Sequence, residues 1–206
     1  TSGLKKLWSD GLPAKISGGV SIAYETVFFG TENGEVIALD AKDGKLKWQV
    51  SVKGEVIAAP AIDEGIVVLN TGSGMVFALD ASNGETVWTY ESEVPPLSLR
   101  GVSAPAAVGG GAIIGTATGK LVVNILESGQ TAWEQVITSA SGVTELERIV
   151  DIDSQPLVSA GIIYVITYDG SLAAVEMRSG RIIWKRDYKS YRRLTIAGST
   201  LFVVDS

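Results

Sequence analysis

The stretch Gly34–Trp48, with the sequence GEVIALDAKDGKLKW, recurs three times along the chain. The later copies are GMVFALDASNGETVW at 74–88, GKLVVNILESGQTAW at 119–133 and GSLAAVEMRSGRIIW at 170–184. In every copy the last residue is a tryptophan that follows the first glycine by 14 residues. Self-similarity at a fixed period indicates an array of one supersecondary unit, so this repeat decides the fold.

Each copy of the repeat is bounded by turn signals. It opens at a glycine that follows a threonine by three residues, as Gly34 follows Thr31, and a second turn comes ten residues later, at Asp43-Gly44 in the first copy. Asn-Gly and Asp-Gly pairs supply the positive φ angles that tight hairpins need. Between the turns lie short runs rich in Val, Ile and Phe, such as 66–69, which predict strands.

One unit therefore holds about four antiparallel strands in roughly 40 residues, which is the pattern of a propeller blade. We predict an all-β fold, a β-propeller of four-stranded antiparallel blades. A tryptophan ends each blade repeat, and we expect its ring to lie on the outer strand and to cover the seam to the next blade. The five are Trp8, Trp48, Trp88, Trp133 and Trp184.

Residues 1–206 are expected to form a single partial β-propeller. The sequence opens with the last strand of one unit, at 5–8, and closes at 201–206, before the glycine turn of another. We expect about four complete blades and two partial ones, with the last blade truncated. A closed ring of eight such blades would need on the order of 320–360 residues. We interpret the chain as part of a longer propeller.

Composition excludes several classes of function. The formal net charge of −6 argues against general nucleic-acid binding. The chain contains no cysteine and no histidine, which excludes a thiol nucleophile, a His-ligated metal and a Ser-His-Asp triad within it. No apolar run is long enough to suggest a membrane-spanning helix. We expect no catalytic residue, no cofactor and no metal.

The repeat is broken at one structural place in two neighbouring units. Compared with the connection from Trp48 to Pro60, the connection from Trp88 to Pro105 is 5 residues longer, and that from Trp133 to Pro156 is 11 residues longer. Function on a repeat scaffold usually lies in such departures. Equivalent positions of adjacent blades share one face of the disc, so we expect the two insertions to lie side by side.

The first insertion (91–105) contains Leu97, Leu99 and Arg100, and the second insertion (137–156) contains Asp151 and Asp153. Leucines beside an arginine and paired acids are typical of an interface. Alternatively, the leucines pack beneath their own loop and the acids only keep it soluble. The two aspartates could also form a metal or acid–base pair, although a calcium loop needs more ligands and a fixed glycine.

A basic stretch lies near the end of the sequence. It contains seven of the 17 Lys and Arg residues, offset only by Glu176 and Asp187: Arg178, Arg181, Lys185, Arg186, Lys189, Arg192 and Arg193. It is interpreted either as solvated strand faces and a loop, or as a contact with an anionic partner or lipid headgroups.

The pattern from Ala38-Leu39-Asp40 through Gly44 to Trp48 resembles the quinoprotein-type propeller repeat. Within that group the chain resembles the BamB family, lipoproteins of the outer-membrane β-barrel assembly machinery. The segments that carry this resemblance are PLSLRG at 96–101 with SAP at 103–105, TELER at 144–148 with VDID at 150–153, and SGR at 179–181 with WKR at 184–186.

The resemblance implies an eight-bladed propeller on the periplasmic face of the cell outer membrane, held by a lipid anchor upstream of this chain. It implies a non-enzymatic scaffold that binds the POTRA domains of BamA and, through them, the assembly complex; unfolded outer-membrane protein clients are a further expected partner. The family's contact surface corresponds here to Leu97, Leu99, Arg100, Asp151 and Asp153.

Two other classes share the blade pattern. One is a fragment of a quinone-dependent dehydrogenase, which would carry a calcium site, a catalytic aspartate and often adjacent cysteines. The other is a generic extracytoplasmic ligand-binding propeller. An open arc of blades would leave two apolar faces and unpaired strands, so self-association is also expected.

Overall fold

The computed structural model describes residues 8–9, 11, 14–92, 103–139, 152, 154–188, 194–197 and 200–203. These residues form four four-stranded antiparallel sheets and one two-stranded sheet. The described part of the chain contains strands and turns and no helix. A helix of the length and apolar character that crossing a membrane requires is therefore not found there.

The sheets follow one another along the chain. The first contains β1 (Ile16–Ala23), β2 (Thr26–Thr31), β3 (Glu35–Asp40) and β4 (Leu46–Ser51), and the second contains β5 (Ala61–Asp63), β6 (Ile66–Asn70), β7 (Met75–Asp80) and β8 (Thr86–Glu91). The third contains β9 (Ala106–Val108), β10 (Gly111–Gly115), β11 (Lys120–Ile125) and β12 (Thr131–Val136). The fourth contains β13 (Leu157–Ser159), β14 (Ile162–Ile166), β15 (Ser171–Glu176) and β16 (Ile182–Asp187), and the fifth contains β17 (Leu194–Ala197) and β18 (Thr200–Val203).

Within each four-stranded sheet the strands pair in sequence order, as a meander. The first strands lie beside one another from sheet to sheet, since β5 contacts β1 and β9, and β13 contacts β17. The last strand of each sheet, which carries the tryptophan, lies at the opposite edge. This arrangement confirms the predicted fold class of four-stranded antiparallel blades.

The core lies between successive sheets. The two middle strands of each sheet are buried on both faces, as the patterns of β2 and β3 show. Such strands need near-continuous apolar sequence, which explains runs such as 66–69. Phe28 and Val36 of the first sheet pack with Leu69 and Phe77 of the second, and similar clusters fill the next two seams.

Each tryptophan that precedes another repeat locks the seam in the same way. The Trp48 indole donates its Nε1 hydrogen to the carbonyl oxygen of Ala81 at 2.9 Å, and its ring lies against Gly84. The same pair of contacts joins Trp8 to Ala41 and Gly44, Trp88 to Leu126 and Gly129, and Trp133 to Met177 and Gly180. The predicted role of the tryptophans as seam covers is confirmed for these four.

The last tryptophan has a different environment. Trp184 is 36% exposed, its ring centroid lies 6.2 Å from that of Tyr164, and the Arg186 guanidinium lies 5.8 Å from the ring centroid.

The turn between the third and fourth strands differs in one respect from the expected hairpin. Gly44 has a positive φ of 74°, but the Asp43 φ is not positive, so the pair does not form a two-residue turn. Instead, the Asp40 amide donates to the Lys45 carbonyl oxygen at 2.8 Å, and the Asp40 Oδ1 accepts the Lys42 amide at 2.8 Å. The carboxylate closes the turn, and only the glycine has to adopt a left-handed conformation.

Candidate interaction site at the stems of the two insertions

The five residues expected to contact a partner lie outside the described residues: Leu97, Leu99, Arg100, Asp151 and Asp153. The structure does describe the stems that carry them. The stems of the first insertion are 91–92 and 103–105, and those of the second are 137–139, 152 and 154–156. The site is therefore built from the stems outward.

Both insertions emerge at one end of the sheets, where the second and third strands are joined by turns at 31–34, 71–74, 116–119 and 167–170. We call this the loop end. The threonine of each turn is buried. Thr116 and Thr167 each accept, at Oγ1, the backbone amide four residues later at 3.1 Å. Thr31 accepts the Glu35 amide in the same way at 3.1 Å, whereas the Thr71 hydroxyl donates to the Met75 carbonyl oxygen at 3.3 Å. The threonine side chain therefore bonds to the backbone four residues later in each of the four turns.

Each connection leaves its sheet at an equivalent hydrogen bond. The amide of Ser92, at the start of the first insertion, donates to the Gly74 carbonyl oxygen at 3.0 Å. The amide of Ile137, at the start of the second, donates to the Gly119 carbonyl oxygen at 2.9 Å. Both insertions therefore begin beside the turn glycine of their own sheet.

The second insertion and the short connection of the first sheet also rejoin the sheets through equivalent hydrogen bonds, which we call their return points. In the short connection, the Val56 amide donates to the Thr31 carbonyl oxygen at 3.3 Å. In the second insertion the Ile152 amide donates to the Thr116 carbonyl oxygen at 3.1 Å. The departure point of the short connection is Val52, four residues before Val56, whereas Ile137 precedes Ile152 by 15. All 11 extra residues thus lie between two hydrogen bonds that have equivalents in the short connection.

The stems that end the two insertions touch each other. The Gln155 side-chain Nε2 donates to the Pro105 carbonyl oxygen at 3.0 Å. Ile152, which stands between the two predicted contact aspartates in the sequence, is 1% exposed and packs in the core between the third and fourth sheets. The expectation that the insertions are neighbours is therefore confirmed for these stems.

The stem of the first insertion is also held from the second sheet. The side-chain amide of Asn70 donates to the Ser103 carbonyl oxygen, and both residues are buried. Asn70 occupies the position that is Gly30 in the first sheet and Gly115 in the third. A glycine has no side chain to donate, so neither of those sheets can form the same hydrogen bond.

A polar cluster anchors the start of the second insertion to the fourth sheet. The Thr138 hydroxyl donates to the Asp169 Oδ2 at 2.7 Å, and Asp169 also accepts the Thr167 hydroxyl and the Ser171 amide. Partial burial raises the pKa of the Asp169 carboxyl, but these hydrogen bonds and the charge of Lys185 outweigh it. The pKa of Asp169 is consequently lowered from its usual 3.8.

The described part of the basic stretch lies in and beside the outer strand of the fourth sheet. Arg181 pairs with Glu176 at 3.6 Å, an exposed contact that contributes little to stability. Arg186 lies over the Trp184 ring. Lys189, Arg192 and Arg193 lie outside the described residues.

Several residues that shape this site were not singled out from the sequence: Asn70, Gly115, Thr138, Gln155 and Asp169. One signal was available, because glycine precedes the turn threonine in both the first and third repeats, at Gly30 and Gly115. Hydrogen bonds between distant positions, such as Gln155 to Pro105, leave no periodic trace in one sequence. In the described part of the chain, no three acidic side chains group as a metal site would.

Comparison with known proteins identifies the family. Residues 3–206 match the family model described as outer membrane protein assembly factor BamB. The curated outer membrane protein assembly factor BamB of Alteromonas naphthalenivorans is 60% identical over 202 residues, covering 98% of this chain and 48% of that protein. The protein of the same name from Salmonella typhimurium is 45% identical over 203 residues, covering 98% of this chain and 52% of its own length.

Solved structures agree with the sequence matches. The crystal structure of BamB from Moraxella catarrhalis superposes with a TM-score of 0.86 at 32% identity, covering 94% of this chain and 60% of that one. The quinohemoprotein alcohol dehydrogenase from Comamonas testosteroni superposes with a TM-score of 0.72 at 19% identity, which shows a shared fold alone.

The chain spans about half the length of the curated relatives it matches. Those relatives are named as assembly factors and not as enzymes. The match covers nearly every residue of this chain, including both insertions. The chain therefore belongs to the BamB family of outer membrane protein assembly factors.

Proposed function

We propose that this chain is part of a non-enzymatic scaffold that assists the assembly and insertion of β-barrel proteins into the outer membrane. The observation that carries the proposal is the 60% identity with an assembly factor over 98% of the chain. The scaffold would act on the periplasmic face of the outer membrane, with a lipid anchor upstream of these residues. Unfolded outer-membrane proteins would be its clients.

The proposed partner is BamA, bound through its POTRA domains, and the proposed contact surface is formed by the two insertions. Leu97 and Leu99 would supply apolar contact area, and Arg100, Asp151 and Asp153 would supply charge-assisted hydrogen bonds. The stems support this assignment, because both insertions leave the same end of the sheets and their return stems are in contact.

Binding of the POTRA domains to an Arg100→Ala variant tests this surface. Arg100 would either contact the partner or brace an aspartate of the second insertion, and loss of one member of a desolvated charge pair costs about 2–5 kcal/mol. We expect affinity measured by calorimetry to fall tenfold or more, with an unchanged circular dichroism spectrum. Arg181→Ala is the control, since Arg181 is an exposed residue beside the outer strand β16. Equal affinities of Arg100→Ala and the native chain would exclude the surface.

A non-enzymatic role separates this proposal from a quinone-dependent dehydrogenase. The dehydrogenase likeness extends to the fold alone, whereas the relatives with high identity are named for assembly. Adding the quinone with calcium to the native chain checks the point. We expect no change in quinone absorbance and no dye reduction with alcohol substrates; either signal would favour the enzyme class.

A further inference from the structure

One residue of the third sheet touches the return stems of both insertions. A Cβ atom built on Gly115 would lie 2.5 Å from the Ile152 Cγ2 and 2.7 Å from the Ser103 Oγ. Real Cβ atoms do not approach other atoms this closely, so the two stems are packed directly on the Gly115 backbone. Ser103 lies in the return stem of the first insertion and Ile152 in that of the second, and both are buried.

Three hydrogen bonds hold the residues next to this contact. The Gln155 side chain donates to the Pro105 carbonyl oxygen and so joins the two stems. The Ile152 amide donates to the Thr116 carbonyl oxygen, and the Asn70 side chain donates to the Ser103 carbonyl oxygen. The stems therefore pack on a shared backbone position and also bond to each other. A displacement of either stem would disturb the other.

The first sheet provides an internal comparison. Gly30 occupies the position equivalent to Gly115, and a Cβ there would collide with Val56, the return point of the short connection. That seam carries no insertion, although Gly30 also pairs with Ser17 of β1. The glycine at this position therefore meets ordinary connections in the first sheet and the stems of the two insertions in the third sheet.

We propose that the Gly115 backbone is a packing position shared by the two return stems, here called the shared seat. The Gln155 hydrogen bond to Pro105 holds the stems together there, so that the two insertions present one contact surface. Gly115 and Gln155 are positioning residues, and the inference rests on the function proposed above. The coupled surface would fit a partner that spans both insertions. Such a partner would offer an apolar and acidic patch to Leu97, Leu99 and Arg100, and donor groups to Asp151 and Asp153.

A distance measurement tests the seat without any partner. The chain contains no cysteine, so spin labels can be attached specifically at Ser98→Cys and Ser141→Cys, one in each insertion. We expect Gly115→Ala to shift or broaden the distance distribution by several ångströms, because one methyl group would displace both stems. Gly30→Ala carries an equivalent clash in the first seam and should leave the distribution unchanged.

A milder pair of variants keeps the test decisive if Gly115→Ala fails to fold. Gln155→Met retains the length of the side chain but removes its bond to Pro105. Gln135→Met is its control, because among the described residues the Gln135 side chain bonds to the neighbouring Val136 carbonyl oxygen and to neither insertion stem. We expect a broader distribution for Gln155→Met alone. Native-like distributions in all folded variants, including Gln155→Met, would overturn the shared seat.

A second measurement connects the seat to binding. Arg100→Ala, Asp153→Ala and the double variant give the coupling between the insertions for POTRA binding, first in the native background and then with Gln155→Met. We expect Gln155→Met to weaken binding about three- to tenfold, as loss of one neutral hydrogen bond implies, and to abolish the coupling. Coupling that persists in Gln155→Met contradicts the seat. If neither Arg100→Ala nor Asp153→Ala changes affinity, the proposed function fails, while the label distances still decide the seat.

Discussion

The indole of Trp88 makes two kinds of contact with the next sheet. Its Nε1 donates to the Leu126 carbonyl oxygen at 2.7 Å, and its ring packs on Gly129, where a Cβ would approach within 2.5 Å. The ring is 7% exposed. The Trp88 side chain therefore joins two sheets, by a hydrogen bond and by packing of its ring against a glycine backbone.

Replacing Trp88 tests the strength of this seam. We expect Trp88→Ala to lower the free energy of unfolding by about 3–5 kcal/mol, because a buried cavity replaces the ring. Trp184→Ala is the matched control and should cost clearly less, since Trp184 is 36% exposed. Urea denaturation of both variants gives the comparison. Equal losses would contradict the assignment of Trp88 to a seam.

Asp169 makes stability depend on pH at the base of the second insertion. Its pKa in the folded chain is lowered from 3.8, so the folded state favours the ionised carboxylate. The resulting stabilisation is present at neutral pH and is lost as pH falls from about 5 through the lowered folded pKa. We expect Asp169→Asn to reduce this loss, measured as the difference in unfolding free energy between pH 7 and pH 3. Parallel pH profiles for the native and variant chains would refute a role for Asp169.

The turns between strands show that glycine can be required for two different reasons: a positive φ of the backbone, and a neighbouring side chain that leaves no space for a Cβ. Gly84 and Gly65 have nearly the same positive φ, 78° and 77°. A Cβ at Gly84 would lie 2.7 Å from the Trp48 ring, whereas nothing lies within 4 Å of a Cβ at Gly65. The two glycines thus share a backbone requirement and differ in the space around them.

Alanine at these two glycines should therefore have different costs. We expect Gly65→Ala to destabilise by about 1–2 kcal/mol, the cost of a left-handed conformation. Gly84→Ala adds overpacking against Trp48, about 1–3 kcal/mol more, and valine at Gly84 should be worse still. Melting temperatures of the pair measure the difference. Equal melting temperatures for the two alanine variants would contradict the predicted cost of overpacking against the Trp48 ring.

The strand elements also show where sequence patterns fail. The turn after β1 places both Tyr24 and Glu25 at positive φ, 49° and 53°, although neither is glycine or asparagine. The tertiary structure supports it: the Tyr24 hydroxyl accepts the Gly65 amide at 3.0 Å, and the Glu25 carbonyl oxygen accepts the Ala41 amide at 2.9 Å. Such contacts between neighbouring turns override local preference.

At the scale of the whole molecule, the outward surfaces of the first and last described sheets carry apolar residues. Along β1, Ile16, Val20 and Ile22 are 39%, 53% and 70% exposed, and Phe202 of β18 is 51% exposed. Apolar side chains repeated along the exposed face of a strand favour association.

We therefore expect this chain to self-associate in dilute buffer, with such faces covering each other. Light scattering at increasing protein concentration measures it, and Ile22→Lys should shift the equilibrium towards monomer. Leu46→Lys is the control, because Leu46 is 59% exposed on β4, at the opposite edge of the sheet. A cooperatively melting monomer at all concentrations would rule the prediction out.

The residue pattern alone predicts the blade unit, the tryptophan positions and the place of both insertions. It could do so because each depends on spacing: burial between sheets requires apolar runs, turns require glycine, and the 11-residue insertion lies between anchors that keep their repeat positions. The resemblance then led to the family. These features are local or periodic and are readable along one chain.

Which backbone segments pack against each other depends on how the sheets stack, and the residue pattern does not predict it. That Gly115 seats Ser103 and Ile152, that Gln155 reaches Pro105, and that Thr138 binds Asp169 depend on contacts between residues 12 to 50 positions apart. Close packing is set by the shape of three-dimensional neighbours and leaves no period in the sequence. The place of the two insertions was therefore predictable, and the contacts that hold their stems together were not.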